Sequence, residues 1–397
     1  MRKLHVLIVG GGFGGVKAAL ELSRRSDIAV TLLSDRTDFR YYPSLYHTAT
    51  GGLHSQSSIA LANIVPTDRV TLALGTADKL DREHKTLTTK EGHLIPYDKL
   101  ILAIGVVTNY FGIKGLSTYS YGIKSLEEIR RFKTHLHRQL SDDNQPDPNY
   151  VIVGAGPTGI ELAGALPSYL HKIMSQHGIK HRAVHIDLIE AVPRLLPHSS
   201  RATSRAVRRQ LHHLGIKLFL GQAVQGETAD ALTINGKPLI SHTVIWTAGM
   251  ANHPFFETNH FAISDRHKVI INQRLEAEPN IYVIGDNAST PYGGFAQTAL
   301  HDAVFVADNI VRGLSDKKLK DYRPKQPISV IPAGLHWAAV DWGKFHFAGR
   351  KGWLLRELAD LLAFHNYEPW WKAAEQWSTE FASEEDCPIC LAKQRLN

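Results

Sequence analysis

The sequence has few cysteines and no long apolar run. Only two of its 397 residues are cysteine, too few for a disulfide-stabilised secreted scaffold of this length. No stretch of ~18 apolar residues occurs, so we expect no transmembrane helix, and we find no signal-peptide pattern at the start. With 43% hydrophobic and 21% charged residues, the composition is that of a globular protein. We expect a cytosolic protein of two or three domains, at ~150 residues per domain.

The chain carries a formal net charge of +7, and part of this charge is concentrated in one segment. A solvated linker and an edge that faces anionic lipid both explain such a run. A nucleic-acid groove is not favoured, because Tyr322 is the only aromatic residue available there for stacking. The basic residues of this segment are Arg312, Lys317, Lys318, Lys320, Arg323 and Lys325.

Two glycine-rich loops each follow a predicted strand and precede a predicted helix. The first runs from Gly10 to Gly15 and the second from Gly154 to Gly159, 144 residues later. In a G-x-G-x-x-G loop the first glycine permits a tight turn, the second lets a pyrophosphate approach the backbone, and the third allows close helix–strand packing. One such loop is weak evidence, since it also occurs as a plain structural turn, but two in the same context predict two dinucleotide-binding domains. No Lys-Ser/Thr pair follows either loop, which argues against a nucleoside triphosphatase.

A dinucleotide-binding domain also needs an acid at the end of its second strand, where it binds a ribose. Asp35 has the expected spacing from the first loop, although Ser34 occupies the place nearest the strand end. In the second unit, Glu190 ends the predicted strand Val184–Ile189, and its carboxylate favours NAD(H) over NADP(H). We interpret Arg194, four residues further on, as a surface or capping residue.

These patterns predict an α/β fold with two Rossmann-like dinucleotide-binding domains and a C-terminal amphipathic helical segment. Asp98–Ile104, which ends at Gly105, and Thr243–Gly249 fit as further strands, and Ile281–Asp286 delivers a carboxylate to a loop. We predict one domain from residues 1–112 and 265–330, a second from 113–264, and a C-terminal segment from 331–397.

At this point the motifs resemble those of the two-dinucleotide-binding flavoproteins of the glutathione-reductase-like type. Within that superfamily the chain is similar to the type II NADH dehydrogenases, which are NADH:quinone oxidoreductases. The resemblance rests on the two loops and on P-S-L-Y-x-x-A-T-G-G at Pro43–Gly52, V-G-A-G-P-T-G-I-E-L-A-G at Val153–Gly164, W-T-A-G from Trp246, G-D at Gly285–Asp286 and A-Q-T-A-L-H at Ala296–His301.

The resemblance implies that the first loop binds FAD and the second binds NADH, with Asp286 at the ribityl chain of the flavin. The implied FAD contacts are Gly10, Gly12, Phe13, Gly14, Gly15, Ser34, Asp35, Ala77, Ala103, Gly105, Asp286, Ala296 and Gln297. The implied NADH contacts are Gly154, Gly156, Pro157, Thr158, Gly159, Glu161, Glu190, Ala248 and Gly249.

The resemblance also implies three catalytic residues, for each of which a plainer role exists. Glu161 is expected near the nicotinamide and the flavin, or it is an acid stabilised by the helix dipole. Gln297 is expected beside the flavin and the quinone, or it is an ordinary polar residue at a helix start. His301 stands where the family has glutamine, so it either binds or protonates the quinone or signals a different acceptor. Tyr46 either borders the flavin or packs in the core.

A mechanism that uses cysteines is disfavoured. The pattern of Ser34 before Asp35 resembles that of the sulfide:quinone oxidoreductase branch of the superfamily. That branch needs reactive cysteines beside the flavin. Disulfide reductases need a redox-active pair of cysteines early in the FAD domain, and Leu33–Gly75 contains no cysteine. Cys387 and Cys390 lie near the C-terminus, as two reduced thiols or as half of a zinc ribbon that a second chain would complete. We predict no metal site.

The C-terminal segment contains six of the seven tryptophans and two helical patterns. Such Trp- and Leu-rich helices lie in the membrane interface, or they pack on the body of the protein or on a second subunit. One apolar face is Leu354, Leu358, Leu361 and Leu362 opposite Arg356 and Asp360; the other is Trp370, Ala374, Trp377 and Phe381.

The sequence therefore predicts a homodimeric enzyme attached peripherally to the cytoplasmic side of the cell membrane. It would pass a hydride from NADH to FAD and then two electrons to a membrane quinone, without proton pumping. Two alternatives stay open. One is a soluble NADH-dependent reductase with a ferredoxin-like protein acceptor, suggested by His301 and the basic run near Lys317. The other is a low-turnover sensor that binds flavin and NADH. No nucleic acid partner is expected.

Overall fold

The computed structural model describes residues 2–141, 149–179 and 182–378. In chain order the strands are β1 (Leu4–Val9), β2 (Ile28–Ser34), β3 (Asp38–Arg40), β4 (Ser58–Ala60), β5 (Val70–Leu74), β6 (Ala77–Asp81), β7 (Thr86–Thr89), β8 (Leu94–Pro96), β9 (Lys99–Leu102), β10 (Val106–Thr108), β11 (Tyr150–Val153), β12 (Ile186–Glu190), β13 (Lys217–Leu220), β14 (Val224–Glu227), β15 (Ala231–Ile234), β16 (Lys237–Ile240), β17 (Thr243–Trp246), β18 (Met250–Asn252), β19 (Glu276–Glu278), β20 (Ile281–Val283), β21 (Ser329–Pro332), β22 (Ala338–Trp342) and β23 (Phe345–Gly349). The helices are α1 (Phe13–Leu22), α2 (Leu45–Ala49), α3 (Leu61–Ile64), α4 (Leu116–Tyr119), α5 (Leu126–Ser141), α6 (Pro157–Gln176), α7 (Arg201–His213), α8 (Phe255–Thr258), α9 (Ala296–Leu314), α10 (Arg350–His365) and α11 (Trp370–Ser378).

The two dinucleotide-binding units share a parallel core of strands, to which the first unit adds the antiparallel edge strand β19. The first sheet has the order β19-β20-β9-β1-β2-β5, and the second has the order β13-β12-β11-β17. In each, the strand before the glycine loop is central, with the next strand of the unit on one side and a later strand on the other. Val6, Leu7 and Ile8 of β1 are fully buried, as expected for a parallel strand covered on both faces. The predicted α/β fold with two dinucleotide-binding domains is confirmed.

Two chain crossings join the units, and they pair with each other as the antiparallel strands β10 and β18. Asn287 joins this ribbon to the first unit: its side chain accepts a hydrogen bond from the Gly105 amide (2.8 Å) and donates to the Asn252 side chain (2.7 Å). Phe255 and Phe256, which follow the ribbon directly, pack in the core of the first unit beside Leu7 and Leu100. This packing favours a second crossing near residues 250–252 rather than after residue 264.

The C-terminal part contacts both units. The sheet β21-β22-β23 packs beside α6 and α7 of the second unit, with Ile331 and Ala339 in that core. Helices α10 and α11 instead contribute Phe364 and Ala373 to the helical layer of the first unit, the layer that contains α1 and α9. Within the described residues, every helix is too short or too polar to span a bilayer. Phe381 lies outside the described residues.

Candidate functional site

The two glycine loops have matching geometry, glycine by glycine. Gly10 (φ +114°) and Gly154 (φ +106°) turn the chain with backbone angles that favour glycine. A Cβ atom on the third glycine would lie 1.9 Å from the Gly10 carbonyl oxygen in the first loop, and 1.8 Å from the Gly154 carbonyl oxygen in the second. The tight turn and the close helix–strand packing predicted for such loops are therefore both present.

The middle glycines provide the test of fit for a dinucleotide. A Cβ on Gly12 or Gly156 would meet no atom within 4 Å, so both positions face open space where a pyrophosphate can reach the backbone. Helices α1 and α6 begin directly after these glycines, so the unpaired N–H groups of their first turns, which in α6 follow Pro157, are available to an anion. Pro157 and Thr158 are exposed at this helix start. The residues present thus fit FAD in the first unit and NADH in the second.

The ends of the neighbouring strands pack closely against both loops. A Cβ on Gly10 would lie 2.2 Å from the Ala103 carbonyl oxygen, and a Cβ on Gly154 would lie 2.7 Å from the Ala248 backbone nitrogen. By strand register, Ala248 corresponds to Ile104 rather than to Ala103. Gly105 and Gly249 follow these alanines, and both have positive φ angles. The other predicted FAD contacts lie nearby or within the same unit: buried Phe13 and Gly14 on the first turn of α1, and buried Ala77 at the start of β6.

Strand register identifies which residues of the two units are equivalent at the predicted ribose position. The amide of Gly10 bonds the Leu33 carbonyl, and the amide of Gly154 bonds the Ile189 carbonyl, both at 2.8 Å. The next residues, Ser34 and Glu190, are therefore equivalent. Asp35 lies one position beyond, exposed, with its carboxylate 3.5 Å from the guanidinium of the adjacent arginine. Ser34, rather than Asp35, is thus the register equivalent of Glu190, and ribose binding at these two positions stays a prediction.

The Glu190 carboxylate is held in place by hydrogen bonds from two backbone amides, one of them in the second glycine loop. One carboxylate oxygen accepts the Ala155 amide at 2.7 Å and the other accepts the Val192 amide at 3.1 Å. Arg194 turns its guanidinium to the carbonyl oxygens of Pro197 and Ser199 in its own loop, which agrees with its interpretation as a capping residue. The Glu190 carboxylate is thus held by two backbone amides, and among the described residues no arginine forms an ion pair with it.

Asp286 is fixed at the end of the strand that delivers it. Its carboxylate accepts the Gly294 amide at 2.8 Å, and Lys268 donates to its backbone carbonyl. Burial lowers the pKa of Lys268, while the nearby Asp286 carboxylate acts in the opposite direction. Asp302 of α9 accepts the preceding Gly285 amide at 3.0 Å and the Tyr322 hydroxyl at 2.5 Å. Sequence reasoning did not identify Lys268 or Asp302.

Ala296, Gln297 and His301 lie on the first two turns of α9, but the side chains of the last two bond a neighbouring backbone. The Gln297 amide group donates to the Ile328 carbonyl (2.9 Å) and accepts the Ile328 amide (3.0 Å). The His301 Nε2 lies 3.0 Å from the Arg323 carbonyl. Both residues therefore fasten the segment 323–328 onto α9, an arrangement that their motif spacing does not reveal. Their catalytic roles stay predictions.

Glu161 is the titratable centre of the site. Its side chain, at the start of the second turn of α6, is 11% exposed, and the nearest Arg356 nitrogen lies 3.6 Å from its carboxylate. Burial raises the pKa of Glu161 to about 8, with Arg356 lowering it and Asp360 raising it. At neutral pH this carboxyl group is mostly protonated, and so it can donate a hydrogen bond or a proton.

Arg356 and Asp360 come from α10, and the sequence analysis placed them only on its polar face. Arg356 bonds Asp360 through Nε and the Pro43 carbonyl through Nη2 at 3.1 Å. Tyr41 donates its hydroxyl to Asp360 at 2.7 Å. The C-terminal helix thus reaches Glu161 of the second unit and Tyr41 and Pro43 of the first. The signal for this role was two charges at i and i+4 between leucines, a spacing that turns both to one face.

Tyr46 is partly buried and packs against the core of the second unit, and it lies close enough to Arg356 to favour the charged form of that guanidinium. Among the described residues, no cluster of three or more His, Cys, Asp or Glu side chains is placed to hold a metal ion. Cys387 and Cys390 lie outside the described residues.

Comparison with known proteins agrees with this geometry. The type II NADH:quinone oxidoreductase NdhA of Mycobacterium tuberculosis is 27% identical over 99% of this chain and 90% of its own length. The structure of NDH2 from Plasmodium falciparum in complex with NADH superposes with a TM-score of 0.83 at 18% identity, covering 96% of this chain and 98% of that one. The sulfide:quinone oxidoreductase of Aquifex aeolicus shares the fold, with a TM-score of 0.76 at 21% identity over 97% and 98% of the two chains.

The motif-based resemblance to type II NADH dehydrogenases is confirmed by these comparisons. Residues 4–303 match the family described as pyridine nucleotide-disulphide oxidoreductase. That match covers well over half of the chain, and it includes both glycine loops and the start of α9. The chain belongs to the pyridine nucleotide-disulphide oxidoreductase family.

Proposed function

We propose that this protein is an FAD-dependent NADH:quinone oxidoreductase that works at a membrane surface without pumping protons. The observation that carries the proposal is the junction at Glu161. A buried, protonated carboxyl group on the NADH-loop helix meets the FAD unit through Arg356 and Asp360. Relatives that match almost the whole chain bear the name type II NADH:quinone oxidoreductase.

Binding and orientation are the main tasks of the loops. When bound, FAD takes a hydride from NADH and gives two electrons to the quinone. The loop from Gly10 holds the FAD pyrophosphate, and the loop from Gly154 holds that of NADH. Asp286 holds the ribityl chain, and Glu190 accepts the hydroxyls of the NADH ribose. Because Glu190 is a carboxylate, it disfavours NADPH at this position.

Glu161 supplies the proton chemistry. Reduction of a quinone to a quinol takes two electrons and two protons. The hydride of NADH brings both electrons and one proton, so one further proton must be supplied. A carboxyl group with a pKa of about 8 both releases and regains a proton near neutral pH. No cysteine of the sequence lies before residue 387, so the residues that form the site leave no thiol route for the electrons.

The outward face of α10 supports attachment to the membrane. Leu354, Leu358 and Leu362 are 59%, 51% and 45% exposed, while Asp360 and Phe364 on the inward face are buried. Trp370 and Trp371 on the next helix are 53% and 66% exposed. A row of exposed leucines beside exposed tryptophans matches a helix that lies in the membrane interface. The cytoplasmic side and the homodimer stay part of this proposal.

The reaction is tested in two half-reactions. The purified holoprotein is mixed anaerobically with NADH and then with a soluble quinone, and the flavin absorbance is followed. We expect NADH to bleach the flavin and quinone to restore it over many cycles. Bleaching without recovery would refute the quinone assignment and favour a protein acceptor. No bleaching at all would favour a binding protein with negligible turnover.

Membrane attachment is tested by flotation with phospholipid vesicles. The test variant carries Leu354→Gln, Leu358→Gln and Leu362→Gln together, and Leu94→Gln is the matched control, since Leu94 is 69% exposed on the first unit. We expect the triple variant to stay with the soluble fraction and the control to float like the parent. Equal flotation of the parent, the triple variant and the control would show that the leucines of α10 do not attach the protein to the vesicles. Sedimentation of the same variants tests the homodimer.

A further inference from the structure

We propose that Asp360 is a positioning residue that holds the Arg356 guanidinium away from Glu161, and that Glu161 keeps its proton because of this. This inference rests on the proposed function, since it assigns Glu161 to proton transfer. Nothing in the family match requires it. It follows from how two side chains, Asp360 and Glu161, and the Pro43 carbonyl share the Arg356 guanidinium.

The guanidinium of Arg356 makes its hydrogen bonds to groups other than Glu161. Nε donates to the Asp360 carboxylate, and Nη2 donates to the Pro43 carbonyl at 3.1 Å. The remaining contact, from Nη1 to Glu161, is 3.6 Å long, beyond hydrogen-bond distance. Arg356 is therefore hydrogen-bonded to Asp360, whereas its contact with Glu161 is within ion-pair distance but without a hydrogen bond.

Asp360 is itself fixed, so it can fix Arg356. Its second carboxylate oxygen accepts the Tyr41 hydroxyl at 2.7 Å. Tyr41 is 1% exposed, and its ring packs 4.6 Å from that of Phe364 and 5.7 Å from that of Phe13. Both oxygens of the Asp360 carboxylate are thus used, and the group has no freedom to leave the guanidinium.

The charges around Glu161 are nearly balanced by this arrangement. Helix α10 presents to Glu161 one cation, Arg356, and one anion, Asp360. The neighbouring Glu357 of the same helix interacts with these two side chains, and burial raises its pKa. The segment Tyr41–Gly52 presents Tyr41, Tyr46 and His47, and burial lowers the pKa of His47 so that its ring is neutral. With the two charges of α10 cancelling, burial dominates and raises the pKa of Glu161 to about 8.

Removing the charge of Asp360 upsets this balance. In Asp360→Asn the Arg356 cation is unpaired, and the nearest anion available to it is Glu161. An opposite charge at this range lowers a carboxyl pKa by ~1–3 units. Glu161 would then be ionised at neutral pH, and the arm of the pH–rate profile that depends on its proton would move to lower pH by ~1 unit or more.

The experiment uses the FAD-loaded full chain and two measurements. Infrared absorption of the protonated carboxyl group is followed against pH, with Glu161→Gln identifying the band that belongs to Glu161. NADH:quinone turnover is measured over the same pH range. We expect the band to disappear at lower pH in Asp360→Asn than in the parent. We expect the double variant Asp360→Asn/Arg356→Gln, which has neither charge, to return the transition close to the parental pH.

Tyr41→Phe is the second test, in case Asp360→Asn does not fold. It leaves both charges in place but loosens the Asp360 carboxylate, so we expect a smaller shift in the same direction. An unchanged infrared transition in the variant that folds would overturn the inference, as would a double variant that titrates like Asp360→Asn. The infrared result does not depend on quinone turnover. A parent without turnover therefore contradicts the proposed function, and an unshifted band contradicts the role of Asp360.

Discussion

The nucleotide preference depends on one carboxylate whose position the structure fixes. Glu190 ends β12, and both of its oxygens accept backbone amides, from Ala155 at 2.7 Å and from Val192 at 3.1 Å. It cannot swing away from an NADPH phosphate without leaving these amides unpaired. Arg194, the nearest candidate to neutralise such a phosphate, is engaged by carbonyls of its own loop. We therefore predict a strong preference for NADH over NADPH.

The size of this preference follows from the repulsion of two charges. Two unit charges ~4 Å apart at an effective dielectric of ~20 repel by about 4 kcal/mol. Glu190 is half-buried, so relaxation of solvent halves this value to about 2 kcal/mol. Since about 1.4 kcal/mol corresponds to a tenfold change, kcat/KM should favour NADH by more than tenfold. Glu190→Gln removes the charge, and it should narrow the gap mainly through a lower KM for NADPH.

Steady-state kinetics with both nucleotides measures this directly, with a saturating soluble quinone as the acceptor. Glu83→Gln is the matched control, because Glu83 is exposed in the turn between β6 and β7 of the other unit. It should leave both kcat/KM values as in the parent. Equal kcat/KM for NADH and NADPH in the parent would refute the reasoning, because it would mean that Glu190 does not face the ribose.

Three further predictions follow from the loops, the C-terminal sheet and a buried acid. Gly15→Ala should prevent folding, because its Cβ would lie 1.9 Å from the Gly10 carbonyl oxygen. Gly12→Val should fold but bind FAD more than ~10-fold more weakly. Thermal unfolding measures the first effect, and flavin titration measures the second. Asp341 accepts the Ser200 amide at the start of α7 at 2.7 Å, so Asp341→Ala should lower stability by about 1.5 kcal/mol, and an unchanged melting temperature would contradict this. Burial raises the pKa of Glu227 from its ordinary 4.5 to about 8, so the folded state binds that proton more tightly than the unfolded chain and loses stability as the pH rises between these values. Glu227→Gln should remove this loss. Its free energy of unfolding relative to the parent, measured by denaturant unfolding, should therefore rise from pH ~5 to ~8 by at most about 1.4 kcal/mol per pH unit.

The parts of the fold that sequence predicted well are those in which backbone geometry restricts residue type. Gly10 and Gly154 need positive φ angles, and the third glycine of each loop leaves no room for a Cβ. Such requirements are local, so a short motif is enough to locate them. The position of Glu190 could be located for the same reason, because it ends the strand that pairs with the loop strand.

The parts that sequence missed depend on contacts between distant segments. Asp360 meets Tyr41 across 319 positions of the chain, and no local pattern reports such a contact. Gln297 and His301 match a motif, yet their partners are backbone atoms of residues 328 and 323, in a segment without motif character. Sequence spacing also could not decide whether Ser34 or Asp35 corresponds to Glu190. Only the strand register identified Ser34 as the equivalent residue.

The two roles proposed for α10 have one geometric cause. At 3.6 residues per turn, Leu354, Leu358 and Leu362 lie on one face, and residues two positions away, Arg356 and Asp360, lie on the opposite face. The observed burial follows this division, with the leucines outward and both charged residues inward. The apolar face and the partners of Glu161 are therefore separated by about one helix diameter, ~10 Å. If that face rests in the membrane interface, the proton-holding carboxyl group lies close beneath the surface from which a lipid-soluble quinone would enter.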